Sequence, residues 1–259
     1  MRRTVAARAA VPLITAVALS GCASARPPEP HAAAVSPSAA TSPSAAARPA
    51  QPARVALGPL TEDQLWSARL GVADLPGGAV VEPSPVPQPW AGFDQAAAAS
   101  PGCAPVVAAL TEEPRARARA VYVIGNNTFG NRTTVDLGAF APGEVPARFD
   151  ALAAAVRDGC RELKVPTGAG NRTIRVREVA FQDAGVPAVA FALDSPTGAV
   201  ASAGGFSTVV LYAAVGDNRI LFELGDDTAK SPALRADIVR AQIRKATERT
   251  APPATATAG

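Results

Sequence analysis

The chain has 259 residues, 48% hydrophobic and 18% charged, with 25 Lys and Arg against 22 Asp and Glu and one histidine. That is length enough for one domain with a sizeable core. The basic excess sits in the first residues: Arg2, Arg3 and Arg8 belong to a leader, and the other 22 basic residues balance the 22 acidic ones. This leaves no basic footprint, so nucleic acid is not expected as a partner.

Residues 1–21 read as an export signal, with the three arginines followed by the apolar run Val11 to Leu19 and then small residues. The run is too short for the roughly 20 residues that a membrane span needs. Leu19-Ser20-Gly21-Cys22 resembles the lipobox of bacterial lipoproteins. That resemblance implies a diacylglycerol on the Cys22 thiol, cleavage before Cys22 and acylation of the new amine; the alternative is an ordinary secreted protein with a chance cysteine. Each buried methylene contributes about 0.8 kcal/mol, so several chains would hold the mature protein to the outer face of its membrane. Residues 22–59, rich in Ala, Pro, Ser and Thr, hold too little apolar bulk to offset ordering entropy and read as a disordered tether. Such a coil has an r.m.s. span of about 35 Å and a contour above roughly 100 Å. The folded domain is expected over 60–249, followed by a disordered tail, 250–259.

Within the domain, "LTEDQLWSARLG" predicts a capped helix: Thr61 at the N-cap, Gln64 completing a capping box, Leu60 and Leu65 as a staple, Gly71 at the end. "ADLPGGAVVEPSPVPQPW" turns and runs extended. "SPGCAPVVAAL" starts a short helix at Cys103. In "PGEVPARFDALAAAVRDGCREL" the spacing of Phe149, Leu152, Val156, Cys160 and Leu163 predicts one helical stripe through Leu163. Six strands are predicted, in "RARAVYVIG", "RTTVDLGAF", "RTIRVREVAF", "VPAVAFAL", "FSTVVLYAAV" and "RILFEL". The last four are separated by turns too short for crossover helices, so they form an antiparallel meander, with the doubly apolar "STVVLYAAV" at its centre. The recurrence of "GNRT" at 130 and 170 reads as repeated turn chemistry. A final helix starting at Ser231-Pro232 points Leu234, Ile238, Val239 and Ile243 inward. The fold class is α+β, an antiparallel sheet packed with three or four helices.

Chemistry is sparse. The one histidine, His31, lies in the tether, so the domain lacks Ser/His/Asp and Cys/His machinery. With Cys22 assigned to lipid, Cys103 and Cys160 are the thiols left in an exported domain; a disulfide between them is expected, the alternative being two buried free thiols. Paired thiols would also remove the usual zinc sites. Glu112-Glu113 and Asp226-Asp227 read as solvated element-end charges, because adjacent side chains diverge. No catalytic residue, no metal and no cofactor are expected. Trp90 and Phe93, ending the Pro-stiffened segment, are the candidates for a ligand-facing wall, unless they pack on the core; Trp66 and Tyr212 are explained by packing.

The order of parts resembles the PknH-type extracellular sensor domain of actinobacteria. The resemblance runs through "LWSARLGVADLPGGAVVEP", Cys103, "FDALAAAVRDGCREL", Ile174 to Phe181, "VPAVAFAL", "FSTVVLYAAVGDNRILFEL" and "SPALRADIVRAQIRKA". It implies an antiparallel sheet with helices around a cleft for an extracellular ligand. The resulting expectation is a lipid-anchored, non-enzymatic sensor or ligand-binding domain of the cell envelope. Its partners would be the membrane, through the lipid, and a small molecule, a wall fragment or an envelope protein. The alternative is a structural or interaction lipoprotein that docks another envelope protein and binds no small ligand.

Overall fold

A computed structural model describes residues 52–76, 79–83, 90, 93–124, 132–167, 170–181, 184–195, 206–226 and 233–248, all inside one unit, Pro49–Gly259. The leader, Cys22, His31 and the tail lie outside the described residues. The helices are α1 (Glu62–Ala68), α2 (Asp94–Ala99), α3 (Ala104–Thr111), α4 (Glu144–Ala154) and α5 (Ala236–Glu248). The strands are β1 (Val80–Pro83), β2 (Ala116–Val123), β3 (Arg132–Ala139), β4 (Glu162–Thr167), β5 (Gly170–Val179), β6 (Ala188–Ser195), β7 (Phe206–Val215) and β8 (Asn218–Asp226). They form one antiparallel sheet in the order β1-β2-β3-β8-β7-β6-β5-β4. The class is α+β as expected, and β5 to β8 are the predicted meander.

The sheet carries a core on each face. Along β7, Val210, Tyr212 and Ala214 enter one apolar cluster, while Leu211, Ala213 and Val215 enter the other. Alternation along the strand thus becomes two cores, and this is why β7 reads as apolar throughout. The first cluster lies under α2, α3 and α4, through residues such as Val106, Leu110, Phe149 and Leu152. The second lies under α1 and α5, through Leu65, Ile238, Val239 and Ile243.

The structure differs from the sequence reading at several places, and α2 is a fifth helix where three or four were expected. Two strands join the predicted six. β1 is a short edge strand, where Pro83 costs no ladder bond on the side away from β2. β4 takes the residues assigned to the end of the long helix: α4 stops at Ala154, a π turn runs over Ala155–Gly159, and Leu163 and Lys164 pair with β5. All five stripe residues are buried nevertheless, because a strand leaving the helix end delivers Leu163 to the same core. α1 keeps its capping box, with Gln64 N to Thr61 Oγ1 at 3.3 Å and Thr61 N to Gln64 Oε1 at 2.9 Å; it ends at Ala68, and Gly71 opens a 3₁₀ turn instead. α5 starts at Ala236, after the non-helical 233–235.

The last tether residues also belong to the fold. The Leu57 carbonyl accepts from Asp217 N at 2.8 Å, and Asn218 Nδ2 donates to the Gly58 carbonyl at 2.9 Å. Gly216, at φ +60°, turns the β7–β8 hairpin, and a Cβ there would clash with the Leu57 backbone.

Candidate functional site

Face one holds the chemistry. The Cys103–Cys160 disulfide, with Cα atoms 4.7 Å apart, ties the start of α3 to the segment that follows α4. The two backbones approach so closely that a Cβ on Gly102 would sit 2.8 Å from the Gly159 carbonyl oxygen. With α3 and α4 held in this way, small side chains on them leave a cleft of about 240 Å³ against the sheet. Ala104, Ala108 and Glu112 recur at four-residue spacing along α3 and its C-cap, α4 supplies Arg148 and Ala151, and the floor is Phe140, Tyr212 and Arg219.

The floor is unusual in its ions. Strand register brings Arg117 opposite Gly138 and Gly138 opposite Arg219, with Arg119 opposite Asp136 in the next row. From either side of Gly138 the side chains of both arginines reach Asp136, Arg117 Nε at 3.2 Å and Arg219 Nη2 at 3.4 Å, while a Cβ on Gly138 itself would press on Pro114 at 2.9 Å. Arg219 is 2% exposed, and its Nη1 donates to the Ala109 carbonyl at 3.0 Å, one of the four carbonyls that the end of α3 leaves without a helical partner. Arg148 pairs with Glu112 at 2.8 Å. The guanidiniums of Arg148 and Arg219 lie 4.5 and 5.2 Å from the Phe140 ring centre, within cation–π range.

Three donors on residues that line this cleft have no partner among the described residues: Arg148 Nη1, Arg219 Nε and the Tyr212 hydroxyl. Burial pushes the Tyr212 phenol up to about 12, against the opposing pull of Arg219 and Arg148. It therefore stays protonated and can donate. A buried polar group left unpaired costs about 1–3 kcal/mol.

Trp90 and Phe93 are elsewhere. Both are buried, with ring centres 5.1 Å apart in an edge-to-face pair, and Trp90 Nε1 donates to Glu223 Oε1 at 3.1 Å. Neither lines the cleft; the structure packs both on the face-one core. Trp66, assigned to packing in the sequence, is 38% exposed and stacks under Arg69 at 3.8 Å. Tyr212, also assigned to packing, is a cleft residue, and Glu112, read as a solvated charge, is the ion partner of Arg148. Arg219 and Glu223 alternate with Ile220, Phe222 and Leu224 along β8, a charged face on a central strand, and that was the available signal. Among the described residues no cluster of His, Cys, Asp and Glu could hold a metal, and no helix is long and apolar enough to cross a membrane.

Fold and cleft describe an α+β domain with a partly open recess on one side of an antiparallel sheet. The chain is similar to the extracellular domain of PknH from Mycobacterium tuberculosis, with a TM-score of 0.43 and 11% identity over 74% of this chain and 97% of that one. No protein-family model matches the chain, and no curated protein does. That likeness transfers neither a family nor an activity, and the functional reading rests on this chain's own residues.

Proposed function

We propose that the protein is a lipid-anchored, extracytoplasmic ligand-binding domain of the cell envelope, non-enzymatic, with the α3–α4 cleft as its site. The observation that carries this reading is that one largely apolar recess is lined by three residues, Arg148, Tyr212 and Arg219, each with an unpaired buried donor atom. A recess of mainly apolar walls with a few convergent polar groups has the form of a small-molecule site. An engineered apolar cavity of about 150 Å³ accepts benzene, so a volume of about 240 Å³ takes something larger than one aromatic ring. The leader and the Leu19-to-Cys22 sequence support delivery across the membrane and retention on its outer face.

Calorimetric titration of the full chain in detergent with envelope-lipid and wall-fragment extracts tests the site, and detergent partitioning of wild type against Cys22→Ala tests the anchor. Saturable heat from at least one extract and release of Cys22→Ala from the membrane are expected. No heat from any extract would remove the ligand-binding reading, and unmodified Cys22 on stably membrane-bound mature protein would remove the anchor.

A further inference from the structure

We infer that the cleft selects a monocarboxylate carried on a short apolar body, with Tyr212, Arg219 and Arg148 holding the carboxylate; this rests on the ligand-binding reading above. The three unpaired atoms are all N–H or O–H groups, so the complementary ligand group is an acceptor. Two of the donors are guanidinium N–H groups, one from each arginine, and a charged donor bonds a carboxylate more strongly than a neutral acceptor. The charge around them decides between a neutral and an anionic acceptor. Among the described residues, Arg117 and Arg219 both pair with one buried carboxylate, Asp136; Arg119 pairs with Glu223, and the further partner of Arg117, Glu113, is 75% exposed. Two guanidiniums thus share that one buried carboxylate, and burial also drives the Glu223 carboxyl towards its neutral form. The inner end of the cleft therefore carries positive charge in excess. Glu112 and Glu144, which pair with Arg148, are 37% and 43% exposed, and water screens their charge far more than that of the buried cluster. Arg148, 32% exposed, has solvent on one side and can shift to admit the ligand, whereas Tyr212 and Arg219 are fixed in the core. Apart from the paired Glu112 and Arg148, the walls are small and apolar, Ala104, Ala108 and Ala151 among them, and suit a short hydrocarbon or ring.

Hexanoate, hexanamide and hexanol, titrated calorimetrically into the full chain in detergent, separate charge from shape. Hexanoate should bind saturably at one site, with the amide and the alcohol at least about tenfold weaker, since a hydrogen bond to a charged group is worth that factor or more. Tyr212→Phe removes one donor with little change of core volume: hexanoate binding should fall about tenfold while thermal stability does not fall, because the lost hydroxyl had no partner among the described residues. Arg148→Gln, on a half-buried helix position, should weaken the acid and leave the alcohol unchanged. Absence of hexanoate binding, equal binding of acid and amide, or wild-type affinity in Tyr212→Phe would each overturn the assignment. If envelope extracts still bind in any of these cases, only the carboxylate class has failed; the cleft itself fails when the extracts give no heat.

Discussion

Tyr122 and Tyr212 are buried on opposite faces of one sheet, and their hydroxyls differ. Tyr122 donates to Gln242 Oε1 at 2.7 Å and accepts from Leu70 N at 3.0 Å, while Gln242 Nε2 donates to the Ala68 carbonyl at 2.7 Å. That network closes the end of α1 onto α5, and every hydroxyl function is used. The Tyr212 hydroxyl has no partner among the described residues, so packing explains its ring and not its oxygen. Glu223 is the other costly residue on face one. Burial raises its carboxyl above the ordinary value of 4.5, with the Trp90 N–H and Arg119 acting in the opposite direction. A raised acid binds its proton more tightly in the folded state, so its share of stability is complete below the unfolded value and is lost as pH rises through the folded one. Denaturant midpoints should fall as pH rises above the ordinary carboxylate range, and Glu223→Gln, which keeps an acceptor for Trp90, should flatten that fall. An unchanged pH dependence in the variant would show that Glu223 does not titrate in this range.

Among the elements, the disulfide and α3 set the width of the cleft. Closing the loop between Cys103 and Cys160, 57 residues apart, restricts the unfolded chain by about 4 kcal/mol in the chain-entropy account. Replacing both cysteines by alanine should lower unfolding free energy by about that amount, measured by denaturant titration against the oxidised wild type; a loss below about 1 kcal/mol would mean that native packing already imposes the constraint. The pairing was legible from counting thiols, but the elements it joins were not. The spacing from Cys160 to Leu163 continues a helical stripe, while Leu163 and Val165 alternate with Glu162 and Lys164 as a strand would. Short apolar runs satisfy both periods, and the strand wins because β5 offers Leu163 and its neighbours a ladder. β1 was legible as extended and not as paired, since a four-residue edge strand has little pattern of its own. The docking of Leu57 on Gly216 gives no local signal either, because it joins positions more than 150 residues apart.

For the whole molecule, one sheet with two buried faces divides the labour. Face two closes with satisfied polar groups and apolar side chains from α1 and α5, and it serves as a support. Face one covers an ion cluster and leaves a recess between α3 and α4. The alanines lining the recess look like ordinary helix formers in sequence, and Asp136 meets Arg219 across 83 residues; a cleft made of missing volume and long-range ion pairs has no periodic signature. The central claim is that this recess is the site. Ala108 lies on its α3 wall and is half-buried, so Ala108→Phe should fill the space without disturbing either core. Native mass spectrometry of the full chain extracted from its own membrane, wild type beside Ala108→Phe, tests this most directly. A bound small-molecule mass in the wild type that is absent from the folded variant is the expected result; the same bound mass at the same occupancy in Ala108→Phe would contradict it.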